Sequence, residues 1–241
     1  MSKVVCITMA RMTSSRLPGK TLMKIGSLPL LEYHIERLRR AENIDEIYVA
    51  TTINKTDDVI NEYCKSKQIK SFRGDEEDVL SRYQQCAELA NADIIVRVTG
   101  DCPLIDPSLV DEVIDCYKNN KGCDYAHLDI TKFPRGFDCE VFSKKVLNEL
   151  NEEVVIPSHR EHVTSFIHSH PQRYNIFTHS MESDHSDLRF CVDEKTDLEL
   201  IEKIINFYEG DIYEKSWFEI VELMRDNPEW ALINREVVQK T

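Results

Sequence analysis

The chain has 241 residues, of which 41% are hydrophobic and 30% are charged. This composition is typical of a globular protein with a substantial core, and it excludes a largely disordered chain. The formal net charge of −13 disfavours binding to nucleic acid polymers, which depends on phosphate neutralisation. No apolar run is long enough to span a bilayer, so we expect neither a nucleic acid nor a membrane as partner.

The cysteine pattern indicates a reducing compartment. Eight cysteines are scattered along the chain without a C-x-x-C pair. The first nine residues are too short and too weakly basic to form a secretory signal. We therefore expect free thiols and a cytoplasmic location.

The first half of the chain alternates predicted strands and helices. In order, these are a strand over 3–9, a helix from about Pro29 with Leu31, Ile35 and Leu38 at helical spacing, a strand over 46–51, a helix over 56–66 capped by Thr56, a strand over 69–72, a helix over 77–91, a strand over 93–99 and a helix from Pro107 to about 119. This alternation predicts an α/β fold with a Rossmann-like, mostly parallel sheet and flanking helices.

The second half is less regular. We predict strands over 138–142, 174–178 and 188–192, and helices over 158–168, 196–208, 215–225 and 234–239. Ser158 and Glu161 have the spacing of a capping box for the helix over 158–168. Neither a repeat nor a linker is visible, so we expect a single domain over 1–241.

A basic, glycine-containing loop follows the first strand. Residues 10–20 include Arg11, Arg16 and Lys20 together with two serines and Gly19. Ligands of open α/β sheets bind beyond the carboxyl ends of the strands, and guanidinium and ammonium groups suit phosphate oxygens. The alternative is a solvated basic loop. The chain contains neither G-x-G-x-x-G nor a Walker A sequence, so a dinucleotide site of the usual kind is not supported.

The same loop carries a family resemblance. The stretch Ala10-Arg-x-x-Ser-Ser-Arg-Leu-Pro-Gly-Lys20, followed by Leu22 and Pro29-Leu-Leu, resembles the nucleotide loop of cytidylyltransferases that act on sugar acids, such as 3-deoxy-manno-octulosonate cytidylyltransferase. The branch named for spore coat polysaccharide biosynthesis is the most similar. The resemblance implies that CTP is bound by Ala10, Arg11, Met12, Ser15, Arg16, Lys20, Thr99 and Gly100. It also implies catalytic roles for Arg11, Arg16, Lys20 and Asp101.

Two aspartates follow predicted strands at widely separated points in the chain. Asp101 lies in Gly100-Asp-Cys-Pro-Leu-Ile, and Asp193 lies in Arg189-Phe-Cys-Val-Asp-Glu. Taken alone, each could be a loop or cap residue, since aspartate favours turns. The family resemblance implies that Asp101 and Asp193 bind Mg²⁺, an ion that prefers carboxylate oxygens. Asp106 is expected to cap the following helix, and Asp197 to lie in the first turn of another.

Two further motifs resemble the acceptor side of the same branch, namely Pro-Arg-Gly-Phe-Asp-Cys-Glu and Arg-Glu-His-Val. The implied acceptor-binding residues are Arg135, Asp138, Glu140, Arg160, Glu161 and His162. An arginine can bind a carboxylate bidentately, and His162 could orient or deprotonate a hydroxyl. The alternative is that Arg160 and Glu161 are surface groups and that His162 is structural.

A zinc site is a minor alternative for the histidine-rich segment. His159, His162, His168 and His170 lie close in sequence, and Cys191 might join them. They lack the C-x-x-C or H-E-x-x-H spacing that accompanies such sites.

Together these features predict transfer of CMP from CTP to a sugar acid of the nonulosonate or octulosonate type, with release of pyrophosphate, for surface polysaccharide synthesis. Residues 1–120 would form the nucleotide-binding half and 121–241 the acceptor-binding half, and the resemblance implies a homodimer. Three alternatives remain open: an acceptor that carries phosphate or phosphonate, a glycosyltransferase, and a non-catalytic nucleotide-binding scaffold. The glycosyltransferase is disfavoured because Gly-Asp-Cys-Pro stands where an Asp-x-Asp motif is expected.

Overall fold

A central sheet dominates the computed structural model, which describes residues 2–239. Its strands are β1 (Val4–Met9), β4 (Glu46–Thr52), β5 (Lys70–Gly74), β6 (Ile94–Thr99), β7 (Tyr125–Leu128), β8 (Glu140–Ser143) and β9 (Ile176–His179), and a separate short hairpin contains β2 (Lys24–Ile25) and β3 (Leu28–Pro29). The seven strands lie in the order β5-β4-β1-β6-β8-β7-β9. Neighbours are parallel except where β8 runs antiparallel to β6 and β7. The predicted Rossmann-like, mostly parallel sheet is therefore confirmed.

Helices pack on both faces of this sheet. They are α1 (Leu30–Leu38), α2 (Asp58–Ser66), α3 (Val79–Leu89), α4 (Pro107–Asn119), α5 (Lys144–Glu153), α6 (Pro157–Glu161), α7 (Ser165–Ser169), α8 (Lys195–Tyr208) and α9 (Trp217–Asp226). Asp106 caps α4, as expected, because its Oδ1 accepts from the backbone N–H groups of Ser108 and Leu109. Thr56 is not the cap of α2; it lies in a 3-10 turn that precedes the helix.

The core explains why the first strand is apolar at almost every position. Val4 and Cys6 pack against α1, α4, α8 and α9 on one face of the sheet. Val5 and Ile7 pack against α3 and α5 on the other face. A strand buried on both faces needs a continuous apolar run, and full burial of each Val or Ile side chain contributes roughly 1.5–3 kcal/mol.

Three predictions in the second half are wrong. The helix predicted over 158–168 is interrupted between α6 and α7, where the buried Val163 has a φ of 52°. Residues 188–192 are extended, but their only ladder contact within the described chain is a parallel bridge between Arg135 and Arg189. Residues 234–239 do not form a helix. The strand β7 and the helix α5 were not predicted.

The interruption between α6 and α7 allows a tertiary contact. It places the buried Thr164 where its hydroxyl contacts both carboxylate oxygens of Glu140, at 3.0 and 3.1 Å. A continuous helix would have kept the local pattern but lost this tertiary contact. The capping role predicted for Ser158 is also wrong, because Ile156 occupies the cap position and Pro157 begins the helix.

The buried Arg37 joins the C-terminal part of the chain to the first half. Its guanidinium donates to the backbone carbonyl of Ile105 at 2.7 Å, and also to the carbonyls of Ile212 and Lys215. A buried guanidinium needs such acceptors because an unpaired charge in the interior is costly. The contacts fix α8 and α9 beside the carboxyl ends of β1 and β6, where the candidate site lies.

Candidate nucleotide and metal site

The basic loop after β1 has a tightly turned backbone, and its side chains differ in their exposure. Gly19 adopts a φ of 76° and donates its N–H to the carbonyl of Met12 at 2.8 Å. This left-handed conformation favours glycine. Arg11 and Ser15 are exposed, whereas Arg16 and Lys20 are half-buried and Ala10 is buried. The loop therefore presents Arg11 and Ser15 to solvent and directs Lys20 inward.

Lys20 is the centre of the site. Its Nζ donates to Asp101 Oδ2 at 2.7 Å, to Asp193 Oδ1 at 2.9 Å and to the carbonyl oxygen of Val192 at 2.7 Å. Burial alone would lower the pKa of this ammonium, but the charges of Asp101 and Asp193 outweigh it, so the pKa is raised. Lys20 is thus firmly protonated between two carboxylates that are far apart in sequence.

Asp101 is placed by the close approach of β1 and β6. A side chain at Gly100 would lie 2.5 Å from the carbonyl oxygen of Met9, so only glycine fits there. Thr99 is half-buried at the end of β6. Burial would raise the pKa of Asp101, but the charge and hydrogen bond of Lys20 outweigh it and lower the pKa. Asp101 is therefore an ionised carboxylate at the carboxyl edge of the sheet.

Asp193 is surrounded by cations. Its Oδ2 forms an ion pair with Arg16 Nη2 at 2.8 Å and accepts from Arg189 Nη2 at 2.6 Å, while its Oδ1 accepts from Lys20 at 2.9 Å. The side chain of Asp193 is only 12% exposed. Arg16 and Lys20 of the basic loop therefore meet at one carboxylate of the opposite half of the chain.

The donor set fits magnesium. Asp101 and Asp193 direct oxygens at the same ammonium, so a cation already occupies the space between them. Magnesium is commonly bound by one or two carboxylates, with water and phosphate completing its coordination. Among residues 2–239, no group of three or more His, Cys, Asp or Glu side chains could hold a metal ion. The pair is thus suited to an ion that shares its ligands with a nucleotide.

Two of the six acceptor-side residues lie close to these carboxylates. Arg135 Nη1 donates to Asp138 Oδ1 at 2.8 Å. The backbone carbonyl of Arg135 accepts from the N–H of Phe190 at 2.6 Å, so Arg135 and its partner Asp138 lie beside the segment that leads to Asp193. Arg135 also lines a cavity of about 210 Å³ whose wall includes Arg189, Asn234 and Arg235.

Glu140 is held in a buried network. Its carboxylate pairs with Arg97 and accepts from the Tyr125 hydroxyl at 2.8 Å and from Thr164. Burial would raise the pKa of Glu140, but the charge of Arg97 and these hydrogen bonds lower it. Its hydrogen-bonding capacity is therefore taken up by protein groups.

Arg160, Glu161 and His162 lie apart from this centre. Arg160 forms two bonds to the Asp78 carboxylate, at 2.8 and 2.9 Å, and also donates to the carbonyl of Val154. Glu161 and His162 are exposed at the end of α6. Within the described chain, no hydrogen bond or ion pair joins any of the three to Asp101, Asp193 or Lys20.

The clustered histidines have separate partners, as expected if they do not form one zinc site. His159 contacts the hydroxyl of Ser165, His168 contacts the hydroxyl of Tyr125, and His170 stacks on Phe166. These contacts hold α6 against α7 and α7 against β7.

Sequence reasoning missed four residues that support the site. His34 is fully buried, and it contacts the Cys102 carbonyl at 2.8 Å and the Thr8 hydroxyl at 3.0 Å. Arg189, Asp197 and Asn234 form a chain of hydrogen bonds behind Asp193. Arg189 begins the motif that contains Asp193, and Asp197 lies three residues after its end. The sequence gives no local signal for His34 or Asn234.

The chain matches the sequence model of the cytidylyltransferase family over residues 5–223. It is 33% identical to the spore coat polysaccharide biosynthesis protein SpsF of Bacillus subtilis (strain 168), covering 96% of this chain and 98% of that protein. It is 34% identical to the 3-deoxy-manno-octulosonate cytidylyltransferase of Trichlorobacter lovleyi over 120 residues, which is 50% of this chain and 47% of that enzyme.

A solved cytidylyltransferase from Leptospira borgpetersenii serovar Hardjo-bovis has the same fold. The two structures align with a TM-score of 0.92 at 31% identity, and the alignment covers 100% of both chains. In the described part of this chain, no helix is both long and apolar enough to cross a membrane. The match over most of the sequence, the shared fold and the convergence of Lys20, Asp101 and Asp193 lead to one conclusion: this chain belongs to the cytidylyltransferase family.

Proposed function

We propose that this protein transfers CMP from CTP to a sugar acid and releases pyrophosphate, with Mg²⁺ as cofactor. The observation that carries the proposal is the position of Lys20 between Asp101 and Asp193, with Arg16 on the second oxygen of Asp193. This arrangement combines two carboxylates for a divalent cation with two cations for phosphate oxygens. A non-catalytic scaffold would not need that combination.

The charges suggest how CTP would be accommodated. Arg16 and Lys20 are both paired with Asp193. When bound, magnesium would be held by Asp101 and Asp193 and would supply positive charge to the nucleotide phosphates. Arg16 and Lys20 would then be free to bind phosphate oxygens, Arg16 through its guanidinium fork and Lys20 as a compact charge. Arg11 and Ser15 would extend the same surface toward solvent.

The reaction requires one displacement at phosphorus. An acceptor hydroxyl oxygen forms a bond to the α-phosphorus, and the bond from that phosphorus to the bridging oxygen breaks. Pyrophosphate leaves with the electron pair, and the hydroxyl loses its proton. Positioning and charge stabilisation account for most of the catalysis in such a transfer, so no protein nucleophile is needed.

Arg135 and Asp138 are our candidates for binding the acceptor. Arg135 is hydrogen-bonded through its backbone to the segment that leads to Asp193, its side chain pairs with Asp138, and it lines a cavity with other arginines. An arginine wall suits a carboxylate-bearing sugar. The T. lovleyi relative is named as an enzyme of a sugar acid, and the SpsF relative is named for polysaccharide biosynthesis, which supports the same substrate class. Assembly as a homodimer and a cytoplasmic location stay predictions.

Pyrophosphate release tests the proposal. The protein is incubated with Mg²⁺, each of the four nucleoside triphosphates, and a panel of sugar acids and sugar phosphates. Release with CTP and a sugar acid is the expected result, whereas release with a sugar phosphate or phosphonate would assign the alternative acceptor class. Asp101→Ala should abolish release, and the substitution of an exposed aspartate outside the cavity, Asp211→Ala, should not. Absence of CTP binding to the folded wild-type protein would overturn the proposal.

A further inference from the structure

Asp197 is a fully buried carboxylate with more partners than its helix requires. Its Oδ2 accepts from the backbone N–H groups of Asp193 at 2.9 Å and Glu194 at 3.0 Å. The bond to Glu194 completes a capping box at the start of α8. The bond to Asp193, however, is not part of that box, and the other oxygen of Asp197 makes no contact with the helix backbone.

The second oxygen of Asp197 binds two side chains outside the helix. Its Oδ1 accepts from Arg189 Nε at 3.1 Å and from Asn234 Nδ2 at 2.8 Å. The same guanidinium donates through Nη2 to Asp193 Oδ2 at 2.6 Å. Because a guanidinium is planar and rigid, fixing its Nε also fixes the direction of Nη2. Asp197 thus controls Asp193 in two ways, through the Asp193 backbone N–H and through Arg189.

Asn234 brings the C-terminal segment into this network. It is 5% exposed, and its Nδ2 donates to the carbonyl oxygen of Arg189 at 3.1 Å as well as to Asp197. The amide therefore holds both the backbone of Arg189 and the carboxylate that orients its side chain. Within the described chain, Asn234 forms a hydrogen bond to neither Lys20 nor Asp101, so any effect on them passes through Arg189 and Asp197.

The charges around Asp193 indicate what this network does. Asp193 Oδ2 receives Arg16 and Arg189, and both of these cations compete with a metal for the carboxylate. Asp197 shares the charge of Arg189, because its own oxygen lies 3.1 Å from the same guanidinium. Without Asp197, Asp193 would be the one carboxylate within the described chain that pairs with Arg189, and the stronger pairing would weaken it as a metal ligand.

We propose that Asp197 and Asn234 are positioning residues that orient Asp193, through Arg189, for binding the divalent cation. The inference rests on the proposed function, because it takes Asp193 as a metal ligand. Groups that hydrogen-bond to metal ligands typically change metal affinity by roughly 10- to 100-fold when removed. The C-terminal segment is thereby a functional part of the site.

The test measures metal binding rather than turnover. Mn²⁺ is titrated into the full-length protein in the presence of CTP, and free Mn²⁺ is followed by electron paramagnetic resonance. Asp197→Asn and Asn234→Ala should each raise the Kd for Mn²⁺ by roughly 10- to 100-fold. CTP binding without metal, measured by calorimetry, should change much less, because neither residue contacts the basic loop.

A matched control separates positioning from helix capping. Glu219 forms the equivalent capping box at the start of α9, where it accepts from the N–H and hydroxyl of Ser216 at 2.9 Å. Glu219→Gln should lower the urea midpoint of unfolding only slightly, because this side chain is 49% exposed, and it should leave the Kd for Mn²⁺ within about twofold. Asn234→Ala removes no helix cap. If Asp197→Asn fails to fold, the Kd for Mn²⁺ of Asn234→Ala alone tests the positioning role.

The possible outcomes are distinct. An unchanged Kd for Mn²⁺ in folded Asn234→Ala would overturn the positioning role while leaving the proposed function intact. A wild-type protein that binds CTP but no Mn²⁺ would overturn both the metal assignment and this inference. Equal weakening of Mn²⁺ binding by Glu219→Gln would show that general destabilisation is responsible, and this too would overturn the inference.

Discussion

The two sides of the candidate site differ in how sequence relates to space. On the nucleotide side, residues from three distant segments meet within hydrogen-bonding distance, as Lys20, Asp101 and Asp193 do. On the acceptor side, residues from two short motifs separate: Arg135 and Asp138 remain near the carboxylates, while Arg160 binds the start of α3. On the acceptor side, residues that were expected to share one pocket are thus dispersed. On the nucleotide side, residues that are distant in sequence converge.

The difference follows from the elements that carry the residues. Asp101 directly follows a central parallel strand, and Lys20 follows the loop after another, so the sheet itself brings them to one edge. The Arg-Glu-His motif lies on a helix of five residues, α6, whose direction is set by packing against α3. Motifs at strand ends therefore have predictable positions, and motifs on short surface helices do not.

The largest expected effect tests the convergent side. Lys20→Ala should lower turnover by on the order of 10²–10³-fold, because a charge aimed at phosphate oxygens is lost. It should also tighten Mn²⁺ binding in the absence of nucleotide, since the ammonium that competes for Asp101 and Asp193 is removed. Steady-state pyrophosphate release and Mn²⁺ titration measure the two effects.

The exposed Lys24 provides the control for this substitution. Lys24→Ala also removes a positive charge close to the loop, but its side chain lies on the surface, and it should change neither measurement. If Lys20→Ala turned over at the wild-type rate, Lys20 would be a solvated loop residue with no part in the reaction.

The next effect concerns the dispersed side, where Glu140 has two competing roles. Glu140→Gln leaves the guanidinium of Arg97 unpaired in a site where its side chain is only 13% exposed. Breaking a pair of this kind should lower the free energy of unfolding by about 3 kcal/mol, measured by urea denaturation. An acceptor-binding Glu140 would instead raise the KM for the sugar acid with little loss of stability.

The exposed pair of Lys145 and Glu149 is a suitable reference. The Lys145 side chain is 84% exposed, so Glu149→Gln should change stability by less than about 0.5 kcal/mol. The pH dependence gives a second check. Because the pKa of Glu140 is lowered in the folded state, its contribution is present above the unfolded Glu pKa of about 4.3 and is lost as the pH falls below it.

A smaller effect distinguishes the two arginines of the acceptor side. Arg135→Ala should raise the KM for the sugar acid by about tenfold, the cost of one lost carboxylate contact. Arg160→Ala should leave that KM within about twofold and lower stability by about 1 kcal/mol, because its partners are Asp78 and backbone carbonyls. The reverse pattern would return Arg160 to the acceptor pocket and remove Arg135 from it.

Much of the fold could be predicted because local patterns determined it. The apolar run of β1, the Asp106 cap and the order of elements through α4 all follow from periodicity and turn chemistry. Helix α5 also carried a signal, since Ser143 caps it and Val146 and Leu150 have helical spacing, but it was not predicted. The local sequence is therefore sufficient to predict α5.

Other features depend on tertiary contacts that the sequence does not encode locally. The break at Val163 depends on the contact of Thr164 with Glu140, which lies in a different strand. The partnership of Arg189 with Asn234 spans 45 residues, and no periodicity connects them. Residues that support a ligand from behind are accordingly harder to predict than the ligands themselves.

The effect that is smallest at neutral pH concerns His34, the buried support of the convergent side. Burial lowers its pKa to about 4, although the bond to the Cys102 carbonyl opposes the shift. The imidazole is therefore neutral in the folded protein, where it donates to that carbonyl and accepts from Thr8. In the unfolded chain it titrates near 6.5. Between pH 6.5 and about 4 the unfolded state binds more protons, so His34 costs stability as the pH falls, by up to about 1.4 kcal/mol per pH unit.

His34→Gln should flatten this slope, because a glutamine can donate and accept hydrogen bonds without titrating. Urea denaturation at intervals between pH 7 and 4.5 would compare the variant with the wild type. Above pH 6.5 the two curves should run parallel, and below it the wild type should lose stability faster. Parallel curves over the whole range would mean that His34 accepts a proton without loss of its contacts, in which case the loop that places Asp101 would not depend on a neutral imidazole.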